Sequence, residues 1–216
     1  EKTGVQGFVT KLYDQSNNYN HAEQTTAANQ PKLVAGGDVI TVGGKPAMEF
    51  DGSNDYLPIA SDFNDTKLNI NSLSSSVVFQ SANTSQVAFV FMLGGTSGSN
   101  KRWYQPMIDS TTMKFSFGTN HPAESQSSDT NHNLLTYVGG ATLGAWRAYL
   151  NGEARGTGTT ALVDNSNATD QAGLGAFSQG SNHFAGTIQE TIVWDSDQSA
   201  NQSGIDTNIN SHYNIY

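Results

Sequence analysis

Apolar positions in this chain come in short runs of strand length, each bounded by Gly, Asn, Ser or Asp. The runs expected to form strands are Val9–Tyr13, Lys32–Val34, Val39–Val42, Ala47–Phe50, Tyr56–Ile59, Ser76–Gln80, Gln86–Leu93, Met107–Ile108, Met113–Phe117, Leu134–Gly139, Trp146–Leu150, Ala172–Ala176 and Gly186–Trp194. Several alternate with period two, the spacing of a half-buried strand whose successive side chains point to opposite faces. Met113, Phe115 and Phe117 share one face, with Lys114 and Ser116 on the other. Gln86–Leu93 is apolar on both parities, which predicts a central strand covered on both sides. Gly43–Gly44 and Asn151–Gly152 are signals for two-residue hairpin turns. Only the tail changes period. Ile205, Ile209 and Tyr213 recur every four residues after the N-cap oxygens of Asp197–Ser199, which predicts one short closing helix near Ala200–Tyr213. Gly204 is its weak point. Neither a repeat nor a linker interrupts the 216 residues. The expectation is one all-β domain over residues 1–216, a two-sheet antiparallel jelly-roll sandwich with one C-terminal helix.

Composition narrows the setting. Charged residues make up 13% of the chain, against about 25% in ordinary globular proteins. Asn, Ser, Thr, Gln and Gly take their place, as suits an extracellular β protein. A net charge of −9 without any basic run argues against nucleic acid, because nothing is there to neutralise phosphates. Val87–Leu93 is the longest apolar stretch, far short of the ~18–20 residues of a membrane-spanning helix, so membrane insertion is not expected. No basic segment followed by an apolar one opens the sequence, so no signal peptide is expected within it. The absence of Cys excludes disulfides, zinc–thiolate sites and thiol catalysis.

Several ordered strings carry a resemblance. Met48-Glu49-Phe50-Asp51-Gly52-Ser53-Asn54-Asp55-Tyr56-Leu57 is similar to the F-D-G-x-x-D-Y-L string of laminin-G-like, concanavalin A-like lectin/glucanase domains. Ala148-Tyr149-Leu150-Asn151-Gly152 resembles their Y-V-N-G hairpin, and Phe184–Trp194 their late F-x-G-x-I-x-E-x-I-V-Y strand. Asp197–Tyr213 resembles their closing helix. Gly7–Ser16 and Ala27–Val34 resemble the W-Y-D-Q-S-G-N-G-N-x-A-x-Q…N-Q-P-x-L-V opening of such modules in phage tail or virion proteins and bacterial surface proteins. A weaker likeness is to the sandwich half of family 54 arabinofuranosidases. The strings span most of Gly7–Tyr213. Relatives with this opening carry a further stretch ahead of it, which implies that the first strands are missing here or that the module is a trimmed one. The fold hosts lectins, adhesion modules and hydrolases alike, so the site must decide between them.

Candidate chemistry follows. Glycoside hydrolysis needs two carboxyls about 5–10 Å apart, one with a raised pKa. Glu49 and Asp51 share a strand face, with Asp55 just beyond. Glu190 shares parity with Ile188, Ile192 and Trp194, so it should be partly buried. The paired-acid E-x-D-x-x-E strand of sandwich glucanases is absent, and no catalytic residue is assigned. The five His, at 21, 121, 132, 183 and 212, lack zinc-ligand spacing. Calcium is the expected ion, since hard oxygens from Asp, Asn and backbone carbonyls suit it. Its expected ligands are Asp51, Asn54 and Asp55; Asp164-Asn165-Ser166-Asn167 with Asp170 is a second cluster.

Sugar binding needs aromatic faces beside planar polar side chains. Arg102, Trp103, Tyr104 and Gln105 form the densest such cluster. Arg147, Tyr149 and Asn151 share the parity opposite Trp146, Ala148 and Leu150. The expected function is a non-enzymatic carbohydrate-binding or adhesion module on a virion or bacterial surface, outside the cell. Its expected partners are a glycan or polysaccharide and neighbouring virion or surface subunits. Two alternatives stand beside it: a structural decoration or fibre protein of a phage virion, and a glycoside hydrolase or lyase.

Overall fold

The Ser74–Ser81 strand lies at the centre of the larger sheet because its sequence carries no charge and only Gln80 reaches toward water. The computed structural model describes residues 4–59, 72–94, 102–109, 111–117, 124–139, 146–158, 172–176 and 181–216, with the side chains at 94, 102–105, 107, 115–117, 124–126 and 157–158 outside that set. The larger sheet runs in the order Gly7–Phe8, Lys32–Ala35, Met48–Asp51, Ala185–Trp194, Ser74–Ser81, His132–Gly139, Trp146–Leu150, Glu153–Gly158, with Asp38–Val39 paired onto Lys32–Ala35. The smaller sheet runs Glu124–Ser127, Thr112–Phe117, Arg102–Asp109, Val87–Gly94, Gly173–Leu174, Leu57–Pro58. Their pairings are antiparallel. The expected two-sheet sandwich is the observed one.

One core joins the two sheets. Val77, Phe79, Leu135, Tyr137 and Trp146 from the larger sheet belong to one cluster with Val90, Phe91, Ile108 and Met113 from the smaller. Burying one such side chain contributes about 1.5–3 kcal/mol. Ala88–Leu93 is buried at every position, as its two-sided apolar pattern predicts. Both hairpin turns form: Gly43 and Gly44 have φ of 57° and 77°, and Asn151 and Gly152 have 52° and 78°. These left-handed values match the twist of two-residue hairpins.

The closing helix spans Gln202–Tyr213 and lies on the outer face of the larger sheet. Ile209 and Tyr213 cover Val78 and Leu134, so the central strand is buried on both faces. Polar groups are buried there too. The Thr136 hydroxyl donates to Asp206 Oδ1 at 2.6 Å, Gln202 Nε2 donates to Asp206 Oδ2 at 2.5 Å, and the Ser76 hydroxyl lies 2.9 Å from that of Thr136. Because Thr136 spends its proton on Asp206, Ser76 is the donor in the last bond. Asp206 thereby tethers the first turn of the helix to two strands.

The start of the helix differs from expectation. Asn201 is the N-cap and makes no side-chain capping bond. Asp197 Oδ1 accepts instead from Ser199 N–H at 2.8 Å, closing a turn before the helix. Gly204 sits in the helix with open space where a Cβ would stand. Gly204→Ala is therefore expected to raise stability by about 0.5–1 kcal/mol, by removing chain entropy from the unfolded state. A urea midpoint that rises with an unchanged m value would show it.

Glu190 is half-buried with a raised carboxyl, as expected, but on the helix side of the sheet rather than on the face of Ile188. Val78 pairs with Glu190 but Phe79 pairs with Ile188, so Gln189 is a bulge residue and the alternation reverses there. Ile188 stays in the core between the sheets, whereas Ile192 packs with the helix cluster. Glu190 lies opposite Val78, on the helix side, and hydrogen-bonds Tyr213. Burial raises the Glu190 carboxyl, partly offset by His212 and Tyr213. Burial and the Glu190 charge together push the Tyr213 hydroxyl up to about 12.

Candidate functional site

The expected sugar-contacting residues are divided between the two sheets. Arg102, Trp103, Tyr104 and Gln105 stand on the Arg102–Asp109 strand, opposite Gly94, Leu93, Met92 and Phe91. Their side chains lie outside the described residues, as does the Asp164–Asp170 cluster. On Trp146–Leu150 the expected parity is observed: Trp146, Ala148 and Leu150 are buried, Arg147 is exposed and Tyr149 half-buried. Tyr149 pairs with Thr136, which places it on the helix-bearing outer face. Asn151 has a structural task in the turn. Its Oδ1 accepts from Leu134 N–H at 2.9 Å and its Nδ2 donates to Asn133 Oδ1 at 3.0 Å.

The Asp51–Asp55 turn closes on itself. Asp51 Oδ1 accepts from the N–H groups of Ser53, Asn54 and Asp55 at 2.7, 3.2 and 3.4 Å, and Asp55 Oδ2 accepts from Asp51 N–H at 3.0 Å. Asn54 Nδ2 donates to Ala28 O and Asn29 Oδ1, tying the turn to the chain upstream. Burial alone would raise the Asp51 carboxyl, but those three N–H bonds hold it below its ordinary value. Asp55 goes the other way. Burial and the neighbouring Asp51 charge push it up to about 6. Among the described residues, no three His, Asp or Glu side chains gather as a metal-ligand group. The backbone N–H bonds to Asp51 and Asp55 close the turn as a staple. The other expected acid is also held: Glu49 sits 3.6 Å from Lys32 Nζ.

A different segment presents aromatic surface. Lys11–Leu12 and Ala22–Glu23 pair as a short ribbon, and the loop between them exposes Tyr13 and Tyr19, at 62% and 77%. Asp14 builds the loop: its Oδ1 accepts from Ser16 N–H at 2.8 Å and its Oδ2 from Asn20 N–H at 2.9 Å. Burial would raise the Asp14 carboxyl, but these bonds outweigh it and hold it low. Asp14 N–H donates to His21 Nδ1 at 3.0 Å. Both tyrosine rings meet His21 edge-on, at centroid distances of 5.1 and 6.1 Å. Asn17 and Tyr19 hold φ of 66° and 61°. That left-handed conformation costs a non-glycine residue about 1–2 kcal/mol.

The sequence held signals for this loop that hydrophobic patterning passes over. The resembled opening string has glycine where Asn17 and Tyr19 stand, and glycine takes these φ values without strain. The ribbon is anchored to the sandwich by the Ala22–Ile59 bridge and by Gln24 Nε2 donating to Tyr56 O at 3.2 Å.

No known family model matches the chain, and no curated protein matches it. Solved structures do. A family 54 α-L-arabinofuranosidase soaked with a cyclic sulfate inhibitor superposes with a TM-score of 0.70 at 15% identity, over 94% of this chain and 51% of that one. This chain thus spans about half of the arabinofuranosidase. Domain 4 of AbnA, a family 43 extracellular arabinanase from Geobacillus stearothermophilus, in complex with arabinotriose, gives 0.51 at 15% identity, over 80% of this chain and 82% of that one. The Ruminococcus gnavus sialidase CBM40 bound to α2,3-sialyllactose gives 0.53 at 14%, over 72% of this chain and 92% of that one. At such identities the likeness is one of fold. The chain is a β-sandwich of the architecture shared by carbohydrate-binding and glycoside-hydrolase-related domains.

Proposed function

We propose that this chain is a non-catalytic carbohydrate-binding module. The observation that carries the reading is the shared sandwich architecture, found in domains whose structures hold arabinotriose and sialyllactose. The fate of the acidic residues supports it. Asp51 and Asp55 are spent on backbone N–H groups, Glu49 faces Lys32, and Glu190 is tied to Tyr213. The module acts outside the cell, on a virion or bacterial surface, where an uncharged polar exterior serves solubility. Affinity per site is weak, about millimolar or −4 kcal/mol, because hydroxyl desolvation offsets most of the contact energy. Display in many copies then raises avidity by about 10²–10⁴.

The test is binding of the multimerised protein to a panel of neutral and acidic polysaccharides, run with calcium and with chelator. Saturable binding to at least one glycan, without release of reducing sugar, is the expected outcome. Silence across the panel from folded protein would overturn it and favour a structural subunit. One feature favours that second reading. Val5 and Phe8 at the Gly7–Phe8 edge strand of the larger sheet, and Val39 on the strand paired with its neighbour Lys32–Ala35, are each about half exposed. A subunit contact there would show as self-association in sedimentation, abolished by Phe8→Ser.

A further inference from the structure

Given the carbohydrate-binding reading, we propose that the Tyr13–His21 loop is the saccharide site, and that it takes a neutral sugar. Tyr19 is the most exposed ring of the loop, at 77%, and sits in a backbone conformation that disfavours it. Folding alone would place glycine there. A strained residue that presents its ring to water is explained by what the ring contacts. The C–H face of a pyranose or furanose stacks on such a ring, and two rings set around one imidazole offer a platform for more than one sugar unit.

The loop supplies matching polar groups. Gln15 and Asn18 are exposed amides, oriented by bonds from Gln15 Nε2 to Tyr13 O at 2.9 Å and from Asn18 Nδ2 to Ser16 Oγ at 3.0 Å. Their carbonyl oxygens can accept from sugar hydroxyls. Asp14 pre-organises the frame from within, so little ordering is needed when ligand arrives.

Charge selects the sugar class. Tyr13–His21 contains no Lys or Arg, and Asp14 within it is ionised. The adjacent Lys11 is paired with Glu23 at 2.9 Å and covers one side of the Tyr13 ring, 5.5 Å from its centroid. His21 Nδ1 is taken up by the Asp14 N–H at 3.0 Å. On a chain of net charge −9, no Lys or Arg in the loop meets a carboxylate or sulfate. Sialylated and uronic-acid glycans are therefore disfavoured against neutral pentose and hexose polymers.

The experiment compares wild type with four variants on an array of neutral pentose and hexose oligosaccharides beside sialylated and uronic-acid ones. Tyr19→Gly should weaken neutral-sugar binding at least tenfold while raising the melting temperature, since it removes the ring and the strain together. Tyr13→Ala should weaken binding similarly. Tyr19→Phe, which keeps the ring, and Asn17→Gly, which relaxes the same loop without removing a ring, should both stay within threefold of wild type. The proposal fails if Tyr19→Gly and Tyr13→Ala bind like wild type; the glycan then binds elsewhere and the carbohydrate-binding reading stands. It fails as to class if wild type binds only acidic glycans. If wild type binds no glycan but captures a protein ligand through Tyr19, both readings fall.

Discussion

Gly175→Ala is expected to lower unfolding free energy by about 2–5 kcal/mol. Gly175 has φ of +83°, and a Cβ there would stand 2.3 and 2.4 Å from Cδ1 and Cε1 of the Phe50 ring. Neither partner can yield cheaply. Phe50 is 1% exposed and packs against Phe184, with centroids 6.4 Å apart. Gly175 is fixed on both sides: its N–H donates to Val90 O at 2.9 Å and its carbonyl accepts from Phe184 N–H at 2.8 Å. Overpacking and the left-handed penalty therefore add. A double-mutant cycle with Phe50→Leu separates them, because a smaller side chain should recover the packing share but not the backbone share. Urea denaturation of the four proteins reads both. Equal losses with Phe50 and with Leu at position 50 would contradict the ring contact.

Asp55→Asn should stabilise the protein above pH 6 by as much as about 3 kcal/mol, a shift of roughly two pKa units at 1.36 kcal/mol each. The sign follows from proton binding. Asp55 rises from its ordinary 3.8 to about 6 in the folded protein, so between those values the folded state holds more proton than the unfolded. Wild type therefore has this contribution in full below pH 3.8 and loses it as pH rises through 6. Asn carries no charge to bury, and its amide oxygen can still accept the Asp51 N–H that Asp55 Oδ2 accepts at 3.0 Å.

The measurement is the difference in stability between the two proteins from pH 3.5 to 8, expected to grow from near zero to its full value. In that difference His132, Glu190 and Asp206 cancel. His132 is held below its ordinary range by burial, so its own contribution runs oppositely and is lost as pH falls. A flat difference would show that the Asp55 charge is solvated.

Much of the sandwich can be read directly from residues. The two-sided apolar run at Ala88–Leu93, the alternation in Trp146–Leu150 and both hairpin turns rest on local spacing, and local spacing survived into the structure. Strands with polar sequences did not announce themselves. Glu153–Gly158 and Glu124–Ser127 pair at the margins of their sheets, where a ladder of backbone hydrogen bonds suffices without an apolar face. Val9–Tyr13 was expected as one strand but divides into Gly7–Phe8 and Lys11–Leu12, with Val9 N–H bonded to Pro31 O between them.

The site was less legible for the same reason. Parity placed Arg147 and Tyr149 outward correctly, but only the register with Thr136 shows that this face is the one bearing the helix. Parity gave the partial burial of Glu190 but put it on the face of Ile188, because a single bulge residue reverses every side chain beyond it, and bulges arise from pairing with another strand. Hydrophobic patterning assigns Tyr13 to the end of a strand and gives Tyr19 no role, because an exposed ring in a polar loop has no periodic partner.

By itself the sequence determined which segments could be strands, that the turns at Gly43–Gly44 and Asn151–Gly152 would be tight, and that one amphipathic helix would close the chain. These follow from φ preferences and side-chain period, which each residue carries with it. The tertiary structure alone decided that Asp55 is buried beside Asp51, that Gly175 lies against Phe50, and that Tyr13 and Tyr19 converge on His21. Those outcomes depend on distances between residues far apart in sequence or held by strained loops, and such distances exist only once the chain has folded.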